Sequence, residues 1–260
     1  MVSNSESRDG EKSHDEVLKK SGGYSWLALR ATSILIPAKV SGDLIVNIAA
    51  FYQLIPQYHC TNGEGGDWYE CTPEAFCGED SQVIEYREDT EHPESFNNWI
   101  QQLNMQCYDK SAFSLLGTMI FSGWVVAAFF VPRISDLYGR KITFIVNMAV
   151  QSVAIVAMIV AKSYITMAVA LFIVGLCSSA RWTVSYVYLM EFLTEDTIKC
   201  VGPFVNASAA LAFVIAAFTL QVLTKETVVL EYAALTISTL SVILTALFLP
   251  ESPKWLVNSD

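Results

Sequence analysis

Long uncharged stretches alternate with short charged ones along most of this chain, and the length of the apolar stretches sets the first expectation. Ala112 to Val131 and Ile142 to Ala161 are about 20 residues each, the length at which a helix crosses the hydrocarbon core of a bilayer. Ser33 to Leu54, Tyr164 to Met190, Val201 to Leu223 and Val228 to Leu249 are long enough to do the same. The pattern therefore predicts an all-α polytopic membrane protein with six spans within residues 31–249. The first thirty residues are polar and of mixed charge, which predicts a disordered tail over 1–30 without a cleavable signal peptide. The widest polar interval, 57–111, separates the first two spans, and Pro132 to Lys141 reads as a tight hairpin between the second and third.

Composition agrees: 53% hydrophobic and 16% charged residues exclude an ordinary soluble domain of this length. The net charge of −10 is local, because interval 57–111 holds twelve acidic residues against Arg87 and Lys110. Such a loop would concentrate cationic solutes at a transport mouth within a Debye length of roughly 10 Å, and equally would serve as a solvated surface with no role in transport. Arg133, Arg140, Lys141, Lys199, Lys254 and the basic tail residues fall on one side of the predicted membrane. Only Arg87, Lys110, Lys162 and Lys225 fall on the other, so both termini are expected in the cytoplasm. Cys60, Cys71, Cys77 and Cys107 then lie in the extracellular acidic loop, where two disulfides with three alternative pairings are expected. The spacing of Cys71 and Cys77 does not suit zinc, so no metal is expected. No glycine-rich phosphate loop or nucleophile-base pair is present, so neither an enzyme, a cofactor nor a nucleic-acid partner is expected.

Charges inside the spans are the candidate chemistry. Lys39 and Asp43 are four residues apart, on one face of the first span, and Arg181 lies about ten residues before the end of the fourth. Each costs about 2.5 to 3.5 kcal/mol at a helix centre, so all three should face protein or a water-filled pathway. An Asp43–Arg181 pair broken by substrate or a proton is the sharpest expectation; a fixed Asp43–Arg181 pair, or a mutual Lys39–Asp43 pair, accounts for the same residues structurally. Trp124, Trp182, Tyr186 and Tyr188 could hold organic cations on their ring faces or pack between helices. Pro37 and Gly42 can loosen the first span. Glu231 reads as interfacial.

Three motifs give these spans a relative. They are Asp136-Leu-Tyr-Gly-Arg-Lys141 between spans two and three, Val184-Ser-Tyr-Val-Tyr-Leu-Met-Glu-Phe192 closing the fourth, and Pro250-Glu-Ser-Pro-Lys-Trp-Leu256 after the sixth. In order and spacing they resemble the organic ion (organic cation, anion and carnitine) transporter branch of the major facilitator superfamily, over roughly residues 33–257. The resemblance implies a plasma-membrane carrier of a small organic solute, a charged organic ion, working by alternating access in the bilayer with or without a coupling ion or proton. It implies that Asp136, Gly139, Arg140 and Lys141 form a cytoplasmic gating latch with Glu191 and Glu251 as its charged partners. Here Pro132 stands where the family has glycine, and is expected to end the preceding helix; Leu137 replaces a basic residue. Family members have twelve spans, so this chain, with residues 250–260 opening a cytoplasmic linker, is expected to be an N-terminal half, either truncated or completed by a second chain. A sugar or other solute:proton symporter of the superfamily, and a non-transporting scaffold or receptor of transporter ancestry, are the alternatives.

Overall fold

The computed structural model describes residues 26–63, 66–78 and 83–259, so positions 1–25 of the expected tail lie outside the described residues. Trp26 to Arg30, also expected in the tail, are helical. The first helix, α1, runs Trp26–Val46, continuous through Pro37 and Gly42. It starts and stops a turn or two earlier than the predicted span: Asn47 and Ile48 break it, and a single turn, α2 (Ala49–Tyr52), follows. The loop beyond it carries strands β1 (Tyr58–Thr61), β2 (Tyr69–Cys71) and β3 (Glu85–Glu88) with the turns α3 (Pro73–Phe76) and α4 (Trp99–Gln102). Its antiparallel sheet, ordered β2-β1-β3, is a departure from the all-α expectation. The disulfides are Cys60–Cys71, which joins β1 to β2, and Cys77–Cys107.

Five long helices follow: α5 (Lys110–Tyr138), α6 (Arg140–Ile159), α7 (Tyr164–Met190), α8 (Glu195–Phe218, continued by a π turn over Thr219–Leu223) and α9 (Val228–Phe248). A last helix, α10, spans Pro253–Ser259. These five are long and apolar enough to cross a membrane. α1 has 21 residues, the length of α9, but carries Arg30, Lys39 and Asp43. Its two inner charges are buried against neighbouring helices.

The expected hairpin is shorter than ten residues. Pro132 does not end α5, which continues to Tyr138, and Gly139 alone separates it from α6. With its φ of 98°, Gly139 sits in the left-handed region that side chains disfavour. A proline inside a helix loses one backbone hydrogen bond and presses on the preceding turn; residues around Pro132 are largely exposed, leaving room for the helix to bend rather than break.

α7 is the hub: it packs on α5, α6 and α1, while α9 packs on α1 and α6 and α8 on α1. Large side chains such as Phe129, Phe130, Val153, Phe204, Val214 and Leu247 point outward from the other helices, giving the apolar belt that a bilayer covers. Inside are two apolar clusters. One, with Ile45, Tyr52, Trp99, Ile120, Met158 and Leu171, lies toward the disulfide-bearing end; the other, with Leu35, Phe144, Met148, Val184, Tyr188 and Phe192, lies toward the opposite end. Between them α1, α6 and α7 place a buried polar layer of Lys39, Ser41, Asp43, Gln151, Ser178 and Arg181.

Candidate functional site

The polar layer is the first of two sites built by the predicted residues. Arg181 is fully buried, and Asp43 and Lys39 nearly so. The Arg181 Nη2 lies 3.6 Å from Asp43 Oδ1, and Lys39 Nζ lies 3.7 Å from Asp43 Oδ2. Trp182 joins them: its indole N–H donates to Asp43 Oδ1 at 3.1 Å, and its ring centroid lies 3.4 Å from Lys39 Nζ. A cation held so on a desolvated indole face gains about 2 kcal/mol. Lys39 also donates to the Val205 carbonyl at 3.2 Å, which ties α1 to α8. Both pairings that the sequence left open are thus present together, one carboxylate between two cations.

Gly42 makes this possible. A Cβ there would overlap the Arg181 guanidinium, so the missing side chain is the slot through which Arg181 passes across α1 to Asp43. Trp124 and Tyr186 are elsewhere: Trp124 stacks on Phe121 at 6.3 Å, and the Tyr186 hydroxyl faces Gly202 of α8.

The second site gathers the motif residues at the end of the bundle opposite the disulfides. Arg140 pairs with Asp136 one turn earlier and, at 3.6 Å, with Glu191 at the end of α7; it also donates to Ser135 Oγ at 3.0 Å. Glu251 Oε1 accepts from the backbone N–H groups of Lys141 at 2.9 Å and Ser252 at 3.0 Å. Its Oε2 stands 2.7 Å from where a Gly139 Cβ would be, so glycine is needed there for space as well as for φ. The Lys141 ammonium caps α9 through the Ala246 carbonyl at 3.2 Å. Sequence reasoning missed three members. The Ser252 hydroxyl donates to Glu191, Trp255 Nε1 donates to the Asp136 carbonyl at 2.8 Å, and the Tyr188 hydroxyl donates to the Pro250 carbonyl. Ser252 and Trp255 belong to the quoted Pro-Glu-Ser-Pro motif, whose spacing to Glu251 was the available signal.

A third cluster was not foreseen. Trp99 in α4 inserts into the disulfide-bearing end, stacks on Tyr52 at 4.5 Å and donates its N–H to Glu231 at 2.6 Å. Glu231, expected at the interface, is buried because the loop folds over it. Asn98 caps α4, accepting from Ile100 N, and donates to the Phe51 and Leu54 carbonyls. Gln102 donates to the carbonyls of Met158, Ile159 and Ala161, satisfying the open end of α6. Asn97 pairs with Thr227 and Glu226 before α9. No group of three or more potential metal ligands occurs among the described residues.

Comparison with known proteins agrees with this architecture. The sugar (and other) transporter family profile matches residues 80–260. Solute carrier family 22 member 2 of Rattus norvegicus is 24% identical over 161 residues, 62% of this chain and 29% of that protein. Its Homo sapiens counterpart is 22% identical over 163 residues, with the same coverage of 62% and 29%. An uncharacterized protein of Caenorhabditis elegans is 29% identical over 170 residues, 65% of this chain and 32% of that one. The chain thus spans about a third or less of the length of these relatives.

Proposed function

The chain belongs to the sugar (and other) transporter family of the major facilitator superfamily, and on that premise we propose that it carries a charged organic solute across the membrane by alternating access. The observation that carries this reading is the Lys39–Asp43–Arg181 cluster with Trp182, a buried charged layer between two apolar clusters. Burying three charges at that depth costs several kcal/mol even when they are paired, and a well-packed apolar layer would be as stable. A carrier has a use for such a layer: its ion pairs are exchangeable, so a solute can compete for one partner.

The Arg140, Asp136, Glu191 and Glu251 network closes one end in this reading, with Gly139 and Lys141 shaping the turn it grips. In this reading the sheet-bearing end is extracellular, a side supported by the disulfides because such bonds persist in oxidising compartments, and the Arg140 end and both termini are cytoplasmic in a plasma-membrane protein. The family supports a carrier rather than an enzyme.

Uptake of radiolabelled organic ions into proteoliposomes tests the reading. Saturable uptake is expected, falling at least tenfold in Asp43→Asn and in Arg181→Ala while the amount of inserted protein is unchanged. Full uptake in both variants removes the cluster from the mechanism. No uptake by the wild type, together with solute-independent binding of a partner to the disulfide-bonded loop, would support a receptor instead.

A further inference from the structure

The charge count of the central layer narrows the solute further, on the premise that the layer is the solute site. Four charged side chains are buried among the described residues: Lys39, Asp43, Arg181 and Glu231. Glu231 is engaged with Trp99 at the disulfide-bearing end. The remaining three leave two cations on one carboxylate, an excess of one positive charge in the low-dielectric interior.

The two cations are not equally satisfied. Lys39 has Asp43 at 3.7 Å, the Val205 carbonyl at 3.2 Å and the Trp182 ring at 3.4 Å. Arg181 has only the Asp43 charge at 3.6 Å, and its Nε, Nη1 and Nη2 have no hydrogen-bond acceptor among the described residues. A buried guanidinium with a complete set of unused donors is a rare arrangement, because buried polar groups are otherwise nearly always paired. Asp43 Oδ2 likewise lacks a hydrogen bond, so the carboxylate can settle on Lys39, four residues away on the same helix, without losing a bond to Arg181.

We propose that Arg181 is the recognition group for the carboxylate of a monoanionic organic solute. The planar guanidinium offers two parallel N–H groups that fit a carboxylate, and one negative charge brings the layer to neutrality. A cationic solute would raise the excess to two charges, and a dianion would reverse it. The half-buried Trp182 beside Asp43 supplies an apolar face for the rest of the solute. When the anion binds, Arg181 exchanges Asp43 for solute, Asp43 remains with Lys39, and no proton or electron moves.

A size-matched pair of probes of opposite charge, phenylacetate and benzyltrimethylammonium, tests this with the full chain, alongside acetate and octanoate. Thermal melting of the purified protein and uptake into proteoliposomes are both measured. The carboxylates should raise the melting temperature and show saturable uptake, benzyltrimethylammonium should do neither, and R181Q should lower carboxylate uptake at least tenfold while R181K retains part of it. If R181Q does not fold, D43N serves: with the internal competitor neutralised, carboxylate should bind several-fold more tightly even though transport is lost. Uptake of the cation and of no carboxylate overturns the anion assignment and leaves the carrier reading standing; uptake of neither class overturns the carrier reading. Carboxylate binding unchanged in folded R181Q, or weakened in D43N, overturns the role of Arg181.

Discussion

Gly42 has no side chain, and the Arg181 guanidinium fills the place where a Cβ would stand. Gly42→Ala should therefore act on Arg181 rather than on α1, whose helical propensity alanine would improve. Overpacking of this kind costs about 1 to 3 kcal/mol. In the double variant Gly42→Ala/Arg181→Ala the slot is already empty, so the cost of the added methyl should largely vanish; thermal melting of the four proteins gives the coupling, and additive losses would mean that Gly42 serves only the backbone. A second residue argues about pH. Glu88 on β3 is held above the ordinary carboxylate range by partial burial first, with Glu226 adding to it and a hydrogen bond to Gln101 opposing. Beside it, the Tyr58 hydroxyl is pushed up to about 12, by burial and then by Glu88 and Tyr86. A carboxyl that protonates more readily in the folded loop stabilises that loop in acid. This contribution fades as pH rises from the ordinary glutamate value, about 4.3, through the raised one. Hydrogen exchange of the sheet amides, compared between wild type and Glu88→Gln at each pH, should show protection falling with pH only in the wild type; parallel curves would exclude Glu88.

At the crossing of α5 and α7 two glycines bring backbone against backbone. A Cβ at Gly123 would stand 2.9 Å from the Leu176 nitrogen and closer to the Phe172 carbonyl, and one at Gly175 would meet the Ile120 carbonyl. Both clashes are with backbone, which cannot rotate away as a side chain can. Gly123→Ala and Gly175→Ala should each separate the helices and lower the melting temperature, at a cost of about 3 kcal/mol or more; wild-type melting of either variant would show that the crossing can slide. The spans themselves were readable because a 20-residue apolar run has one use in a bilayer. Asp43 and Arg181 stood out for the same reason, as charges where none should be. Gly42 and Trp99 carry no such mark. A glycine's role depends on what crosses it from another helix, and a tryptophan in an acidic loop gives no periodicity to show that it turns inward. Glu231 was misplaced as a consequence, since four residues into a span it lies at the interface unless the loop covers it. The far end of α1 was shifted for a local reason: Ile48, Ala49, Ala50 and Phe51 extend the apolar run past Asn47, where the helix breaks and Tyr52 donates back to the Leu44 carbonyl and stacks on Trp99.

At the scale of the whole molecule, the charged layer lies between two ends closed by unrelated means. Loop residues Asn97, Trp99 and Gln102 tie α2, α6 and α9 together at one end, and the Glu251–Arg140 network ties the α5–α6 turn to α7 and α10 at the other. Two independent seals and a moving carrier make different predictions for a lesion in one of them. Glu251→Ala removes the acceptor for the Lys141 and Ser252 amides, a loss worth about 1 to 3 kcal/mol for buried donors, so their hydrogen exchange should quicken by about tenfold or more. With independent seals, the amides at the far end would not respond. In an alternating carrier the variant favours the state open at the Glu251 end, and that state requires the other end to be shut. The Asn97 amide, which donates to the Lys225 carbonyl at 3.0 Å, and the Thr227 amide, which donates to Asn97 at 3.1 Å, should then exchange more slowly than in the wild type. Trp99→Phe keeps the ring on Tyr52 but removes the indole N–H from Glu231, and should produce the mirror image: faster exchange at Asn97 and Thr227, slower at Lys141 and Ser252. Opposite responses at the two ends in both variants are the signature of one rocking body; acceleration confined to the mutated end would show that each seal opens alone.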